Sequence, residues 1–164
     1  MSVFVVDSNF FIQAHRAVYP LDVVVSFWEV LRKLANDGVI ISIDKVKNEI
    51  YQNNDELKGW CKDNLPDDFF KSSETAIVEY GEVVAWTMSK IDHFLPKAID
   101  EFMDSEEADA WIVSYCLKHE YLLITHEISQ PGRKNKIKIP EPCKALGVSH
   151  LDTIGMFRQL GIQF

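Results

Sequence analysis

The stretch DSEEADAWIVSYCLKHEYLLITHE, residues 104–127, combines a helix pattern with a strand pattern. Its apolar residues recur at helical spacing as far as Cys116, and residues 121–125 then form an apolar run. Asp104 and Glu107 have the spacing of a capping box, which predicts that the helix begins at Asp104. A helix that leads directly into a buried strand is a building unit of an α/β fold.

The rest of the chain repeats this alternation of strand and helix patterns. Apolar runs at residues 3–6 and 39–43 predict two more buried strands. These patterns predict one domain, residues 1–164, with a three-layer α/β/α sandwich around a central, mainly parallel sheet. The other predicted elements are a helix capped by Ser8 and ended by Pro20, a helix over 22–37 with Gly38 at its end, three helices over 44–90, a helix over 96–103, a loop over 130–144 with a short strand at 137–139, and a last helix capped by Ser149 and Asp152.

The composition is that of an ordinary globular protein, and it narrows the function classes. The chain has 164 residues, 47% of them hydrophobic, and a formal net charge of -8, which argues against coating nucleic acid by bulk attraction. Its three cysteines are too far apart in sequence for a metal knuckle. Neither a signal peptide nor an apolar run long enough to span a membrane is recognisable, so we expect a cytoplasmic protein without membrane partners.

Four carboxylates are placed where a parallel α/β sheet binds ligands, beyond the carboxyl ends of its strands. Asp7 directly follows the first strand, and Glu127 lies two residues after the third. Asp109 lies on the helix before the third strand, and Glu49 on the helix after the second. Converging acids repel one another unless cations or protons neutralise them, and oxygen ligands favour Mg²⁺ or Mn²⁺. Such a site can activate water for attack on a phosphodiester.

Three segments resemble the PIN domain, a family of metal-dependent nucleases that includes the toxin ribonucleases of toxin-antitoxin pairs. They are VVDSN at the end of the first strand, VKNEI with its internal acid, and EADAWIVSYCLKHEYLLITHE. The last segment is the most specific, because an aspartate, a helix, an apolar strand and a T-x-acid ending occur there at the family's spacing. The resemblance covers nearly the whole chain and implies a PIN-like fold.

The resemblance also implies a site and an activity. Asp7 and Asp109 match the metal-binding aspartates of the family, and Glu49 matches its usual glutamate. Glu127 stands where the family commonly has aspartate, which keeps the carboxylate but adds a methylene. The polar pair after the first aspartate, which helps to place it, is matched by Ser8 and Asn9. The implied function is a Mg²⁺- or Mn²⁺-dependent endoribonuclease that leaves a 5′-phosphate, with an antitoxin or a homodimer as further partners.

A basic cluster follows the fourth carboxylate directly. It could hold an RNA backbone, although such clusters are most often solvated loops. The residues predicted to contact nucleic acid are Arg133, Lys134 and Lys136, with Lys138 and Lys144 in the same segment. His126 lies beside Glu127, but a lone histidine is usually not catalytic.

Other interpretations of the same residues stay open at this point. Asp7 could simply favour a helix N-terminus, and Glu49 could be a surface glutamate. The helix-dipole explanation is weaker for Asp109, which lies beyond the first turn if Asp104 is the cap. A receiver-type module would use Asp44 as phosphoacceptor, although such modules usually pair two acids after the first strand. A PIN-like domain that binds RNA or protein without cleaving it is a third possibility.

Overall fold

The computed structural model describes residues 2–164 and has a parallel sheet of five strands at its centre. In chain order the strands are β1 Phe4–Val6, β2 Ile40–Ile43, β3 Phe70–Lys71, β4 Leu122–Ile124 and β5 His150–Leu151. Across the sheet they lie in the order β3-β2-β1-β4-β5, and every neighbouring pair is parallel. The predicted three-layer α/β/α architecture with a parallel sheet is confirmed.

Helices occupy both faces of the sheet. The short first helix continues into a π-helical turn, Ala14–Val18, and a 3₁₀ turn, Ser73–Ala76, precedes the fifth helix. No helix within residues 2–164 is long and apolar enough to cross a membrane. The α-helices are α1 Ser8–Gln13, α2 Val25–Asn36, α3 Asp44–Tyr51, α4 Glu56–Asn64, α5 Ile77–Met88, α6 Pro96–Phe102, α7 Ala108–His119, α8 Pro140–Leu146 and α9 Thr153–Leu160.

The centre of the core is β1, whose three residues are all buried. Val6 pairs with Ile124 of β4, and Val5 pairs with Ile41 of β2, so the strand has a neighbour on each side. Continuous β-branched and aromatic residues suit a strand that is covered on both faces. The sequence pattern identified this strand, and the structure confirms it together with β2 and β4.

The segment after β4 differs from the prediction. No strand forms at residues 137–139, although Ile137 and Ile139 are buried. The backbone N–H of Ile139 donates to the Glu127 carboxylate instead of to a neighbouring strand. The predicted loop also contains α8, which begins at Pro140 as helices often do. The short strands β3 and β5 were missed because two residues carry no recognisable period.

The predicted N-caps of α1 and α7 are wrong. Asp7, not Ser8, is the N-cap of α1, since its carboxylate accepts a hydrogen bond from the backbone N–H of Phe10. The helix α7 begins at Ala108 with Glu107 at the N-cap. The Asp104 carboxylate instead accepts a hydrogen bond from the Glu106 N–H in the turn before the helix. Asp109 therefore lies in the first turn of α7, where the helix dipole acts on it.

The last helix also begins later than predicted. Ser149 precedes β5 and is not the cap of the last helix. Asp152 is the N-cap of α9, since its carboxylate accepts a hydrogen bond from the Gly155 N–H. The glycine predicted to end α2 is confirmed, because Gly38 has a φ of 72° directly after the helix. Left-handed backbone of this kind favours glycine at a helix C-terminus.

Candidate active site

The sheet order places a crevice at the carboxyl ends of β1 and β4. From β1 the chain passes to β2 on one side, and later returns to β4 on the other side. Open α/β sheets bind ligands in the crevice between two neighbouring strands whose connections run to opposite sides of the sheet. Asp7 follows β1 and Thr125 follows β4, so both side chains lie at this point.

Asp7 is buried and held by two hydrogen bonds. Its Oδ1 accepts from the Phe10 N–H at 2.9 Å, and its Oδ2 accepts from the Thr125 hydroxyl at 2.8 Å. The Asp7 side chain nevertheless has a pKa raised from 3.8 to about 7, first because burial disfavours the charged form and then because Glu127 and Glu49 repel it. The two hydrogen bonds lower the pKa but do not offset burial.

Glu49 joins the beginnings of two helices. Its Oε2 accepts from the Ser8 hydroxyl at 2.6 Å, and its Oε1 accepts from the Ala108 N–H at 3.2 Å. Ser8 directly follows Asp7, and Ala108 directly precedes Asp109. Glu49 thus lies between the two aspartates and is not the solvated surface glutamate considered as an alternative.

Asp109 faces a cavity of about 260 Å³ that Glu107 and Lys136 also line. Its pKa is raised from 3.8 to about 8, because burial disfavours the charge and because Glu127, Glu49 and Asp7 repel it. The nearby Lys136 lowers that pKa without reversing the shift. The helix dipole of the first turn therefore does not account for an aspartate in this environment.

Glu127 is braced by the segment that follows it. Its Oε2 accepts from the Ile139 N–H at 2.7 Å, and the Lys136 Nζ lies 3.8 Å from its Oε1. The extra methylene of glutamate, compared with aspartate, gives the carboxylate a longer reach toward this backbone group. A second cavity, of about 300 Å³, is lined by Glu127, Lys136 and Asn9.

The structure brings the four predicted carboxylates into one electrostatic cluster, since Glu127, Glu49 and Asp7 contribute to the raised pKa of Asp109, and Glu127 and Glu49 contribute to that of Asp7. Within residues 2–164, however, no three acidic, histidine or cysteine side chains are arranged closely enough to hold a metal ion as they stand. A carboxylate has about four lone-pair sites, so the hydrogen bonds just described leave acceptor capacity free. The set consists of oxygen donors only, which fits a hard cation such as Mg²⁺ or Mn²⁺.

The supporting residues differ in their contacts. Ser8 positions Glu49 rather than Asp7, and Asn9 is exposed on the wall of the second cavity. Thr125 is the direct partner of Asp7 and was not among the predicted site residues. The signal that could have identified it is a polar residue at the end of a buried strand, directly opposite Asp7.

The basic cluster surrounds the site unevenly. Lys136 lines both cavities, between Asp109 and Glu127. Arg133 bonds to Gln130 and Asn135, and Lys134 is exposed. Lys136 is therefore the predicted basic residue with the most direct contact to the acids.

Asp44 is committed to local structure. Its Oδ1 accepts from the Lys45 N–H at 2.9 Å and from the Ser73 N–H at 3.2 Å. These bonds tie the start of α3 to the 3₁₀ turn. No feature around this carboxylate favours a phosphoacceptor role.

Comparison with known families assigns the chain. The family model described as "Domain of unknown function (DUF4411)" matches residues 4–164, which is nearly the whole chain. The chain belongs to the DUF4411 family. Curated proteins include no match to it.

Among solved structures, the crystal structure of VapBC2 from Rickettsia felis, bound to a DNA fragment from its promoter, resembles this DUF4411 chain. The TM-score is 0.55 and the sequence identity is 12%, over 92% of this chain and 98% of the other. A likeness at this identity concerns the fold, and it agrees with the three-layer arrangement of sheet and helices described above.

Proposed function

We propose that this protein is a PIN-type endoribonuclease that depends on Mg²⁺ or Mn²⁺, with residues 1–164 as a single domain. The observation that carries the proposal is the cluster of Asp7, Glu49, Asp109 and Glu127 at the crevice between β1 and β4. The raised pKa values of the two aspartates show that burial, and then the neighbouring acids, disfavour their charged forms. A bound divalent cation stabilises those charged forms, polarises a phosphodiester and lowers the pKa of a bound water.

Each carboxylate has a distinct task in this proposal. Asp7 and Asp109 are the principal ligands, because they are the two acids whose charged forms most need a cation. Glu49 holds the starts of α1 and α7 together through Ser8 and Ala108, which fixes the distance between the aspartates. Glu127 completes the set and keeps Lys136 beside the site.

The basic residues are proposed to hold the substrate. Lys136 stands between the two cavities, where its ammonium group can contact a phosphate without leaving the acids. Arg133 and Lys134 lie in the same segment and extend the positive surface along a strand of RNA. Because the overall charge is -8, most of the surface repels a polyanion, and this basic patch is where a polyanion can bind.

The partner proposal follows from the structural neighbour. VapBC2 is a complex of this fold bound to promoter DNA. By analogy, we infer that a cognate antitoxin protein covers the site of this chain in the cytoplasm, and that a homodimer is its own assembly.

The decisive experiment is RNA cleavage with charge-neutral variants. With Mg²⁺ or Mn²⁺ we expect the wild type to cleave total RNA, and Asp7→Asn and Asp109→Asn to lose more than about 100-fold, since changes outside the ligand set alone cost about 10- to 100-fold. Asparagine also caps helices well, so Asp7→Asn should keep α1 folded. Excess EDTA should abolish the wild-type activity.

Asp63→Asn is the matched control, because Asp63 is exposed on α4 and its replacement removes the same charge. We expect it to retain wild-type cleavage. Cleavage that persists in both Asp7→Asn and Asp109→Asn would refute the assignment.

A second candidate is a PIN-like module that binds RNA or protein without cleaving it. It is favoured by the engagement of Glu127, whose carboxylate is occupied by the Ile139 N–H and faces Lys136. Calorimetric titration with Mn²⁺ separates the two candidates. A chain that binds no Mn²⁺ at pH 8, yet still binds RNA, would favour this second function.

A further inference from the structure

A separate cavity of about 480 Å³ opens beside the basic segment, between α5, the turn before α6, and α8. Its volume lies in the range of about 300–1,000 Å³ typical of small-molecule sites. Trp86 and Phe94 form an aromatic wall, with ring centroids 6.3 Å apart in an edge-to-face arrangement. Trp86 lines the cavity and stays partly exposed, and an aromatic side chain of this kind can stack on a planar ligand.

Two residues that line the cavity, Glu141 and His93, each carry a buried hydrogen-bonding atom without a partner among residues 2–164. The Glu141 Oε1 accepts from the Ser129 hydroxyl and from the Gln130 N–H, whereas its Oε2 is buried without a partner among residues 2–164. The same description fits the Nε2 of His93. Buried polar atoms are normally hydrogen-bonded, and a buried carboxylate oxygen without a donor is costly. A donor brought by a ligand would satisfy Glu141.

The rim of the cavity is positive, and part of its wall belongs to the segment that follows Glu127. Lys90 and Lys144 line the cavity and are exposed. Pro131, also in the wall, is four residues after Glu127, so the Cα atoms of these two residues are at most about 14 Å apart. The cavity therefore borders the segment that leads away from the carboxylate site.

We propose that this cavity binds one base of the RNA strand that occupies the carboxylate site, and that it selects bases carrying an exocyclic amino group. The base stacks on Trp86, its amino group donates to the Glu141 Oε2, and Lys90 and Lys144 contact flanking phosphates. Stacking on aromatic side chains is the general means of holding unpaired bases. This inference rests on the proposed function, because it identifies where the substrate of that site is read.

Cytosine and uracil give the sharpest test, since they are similar in size but present N4–H₂ and O4 at the same position. The probes are fluorescein-labelled C and U hexamers, titrated with the full chain in EDTA by fluorescence anisotropy. One hydrogen bond predicts that the C hexamer binds about three- to tenfold more tightly. No metal or turnover is needed for this measurement.

Glu141→Gln changes the free atom and little else. Its amide oxygen can keep the bonds from Ser129 and Gln130, which leaves an NH₂ donor at the position of the Oε2. We therefore expect the preference to disappear or to turn toward the U hexamer. Glu82→Gln is the matched control, because Glu82 is exposed on α5 outside the cavity, and it should keep the wild-type preference.

Lys144→Gln tests the phosphate contact with a residue whose side chain is exposed. It should weaken binding of both hexamers alike and reduce the salt dependence of binding. Equal affinity of the wild type for the C and U hexamers would overturn the inference. A preference that is unchanged in Glu141→Gln would overturn it too, because the base would then be read elsewhere.

The proposal of a base pocket and the proposal of a nuclease can be refuted separately. An active enzyme without a preference between C and U hexamers would refute the pocket and leave the nuclease assignment standing. An inactive protein that prefers the C hexamer in EDTA would do the reverse.

Discussion

The two aspartates and the two glutamates of the candidate site occupy contrasting environments. Asp7 and Asp109 have pKa values raised to about 7 and about 8, because their surroundings disfavour the charged form and neighbouring acids repel them. Glu49 and Glu127 each accept a backbone N–H from a distant segment, that of Ala108 or Ile139. The charged forms are therefore disfavoured at the aspartates, and the glutamates hold the surrounding elements in place.

The largest expected effect concerns the aspartates and pH. A carboxyl group whose pKa is raised on folding binds more protons in the folded than in the unfolded state, so stability falls as pH rises between the two pKa values. That window runs from 3.8 to about 7 for Asp7 and to about 8 for Asp109. We expect Asp7→Asn and Asp109→Asn to be more stable than wild type at pH 8, on the order of a few kcal/mol.

Urea denaturation of metal-free protein at pH 4 and pH 8 measures this difference. The gain should vanish at pH 4, where the wild-type carboxyl groups are protonated as well. Asp63→Asn should show no pH-dependent gain. Variants that are less stable than wild type at pH 8 would mean that the aspartates are not repelled.

The next effect is stabilisation by a divalent cation. At pH 8 we expect Mn²⁺ at about 100 times its dissociation constant to raise the free energy of unfolding by about 2.7 kcal/mol. At pH 5 the gain should be small, because Asp7 and Asp109 are protonated in the folded protein. Thermal unfolding with and without Mn²⁺ measures it, with Asp109→Asn as the variant that loses the gain. An equal gain at both pH values would contradict the proposal that Mn²⁺ binds through the charged forms of Asp7 and Asp109.

Removing a glutamate should act on stability through its hydrogen bonds. Glu49→Ala leaves the Ser8 hydroxyl and the Ala108 N–H without their acceptor, which should cost about 1.5–3 kcal/mol in urea denaturation. Glu49→Gln should lose less, because its amide can still bond to one or both groups. Glu29→Ala, at an exposed position of α2, is the control and should be nearly neutral. A Glu49→Ala variant that is as stable as the wild type would contradict the proposed structural role of Glu49.

The smallest effect on stability is expected for Lys136→Met. The Lys136 side chain is 44% exposed, and the Glu127 carboxylate keeps its bond from the Ile139 N–H in the variant, so we expect a smaller loss of stability than for Glu49→Ala. The pKa of Asp109 should rise further, because Lys136 lowers it in the wild type. NMR titration of the Asp109 carboxyl carbon detects the rise, and Lys97→Met, on the surface of α6, should leave it unchanged.

Much of the fold was predictable, because local patterns report burial. The strands β1, β2 and β4, the helices after β1 and β2, the helix before β4, and the placement of Asp7 beyond a buried strand follow from runs and periods of apolar residues. The segment from residue 128 to residue 151 was mostly missed. Its conformation depends on the Glu127 carboxylate bonded to Ile139 and on a two-residue strand, neither of which leaves a periodic signal.

The sequence by itself determined the layered α/β architecture and the four acids of the candidate site, since hydrophobic periodicity and strand ends are local properties. Only the tertiary structure decided the partners of those acids. Thr125 bonds to Asp7 across 118 residues, and Ala108 bonds to Glu49 across 59, because the sheet order brings β1 beside β4. The cavity at Trp86 and Glu141 also exists only in the folded chain, because distant segments form its walls.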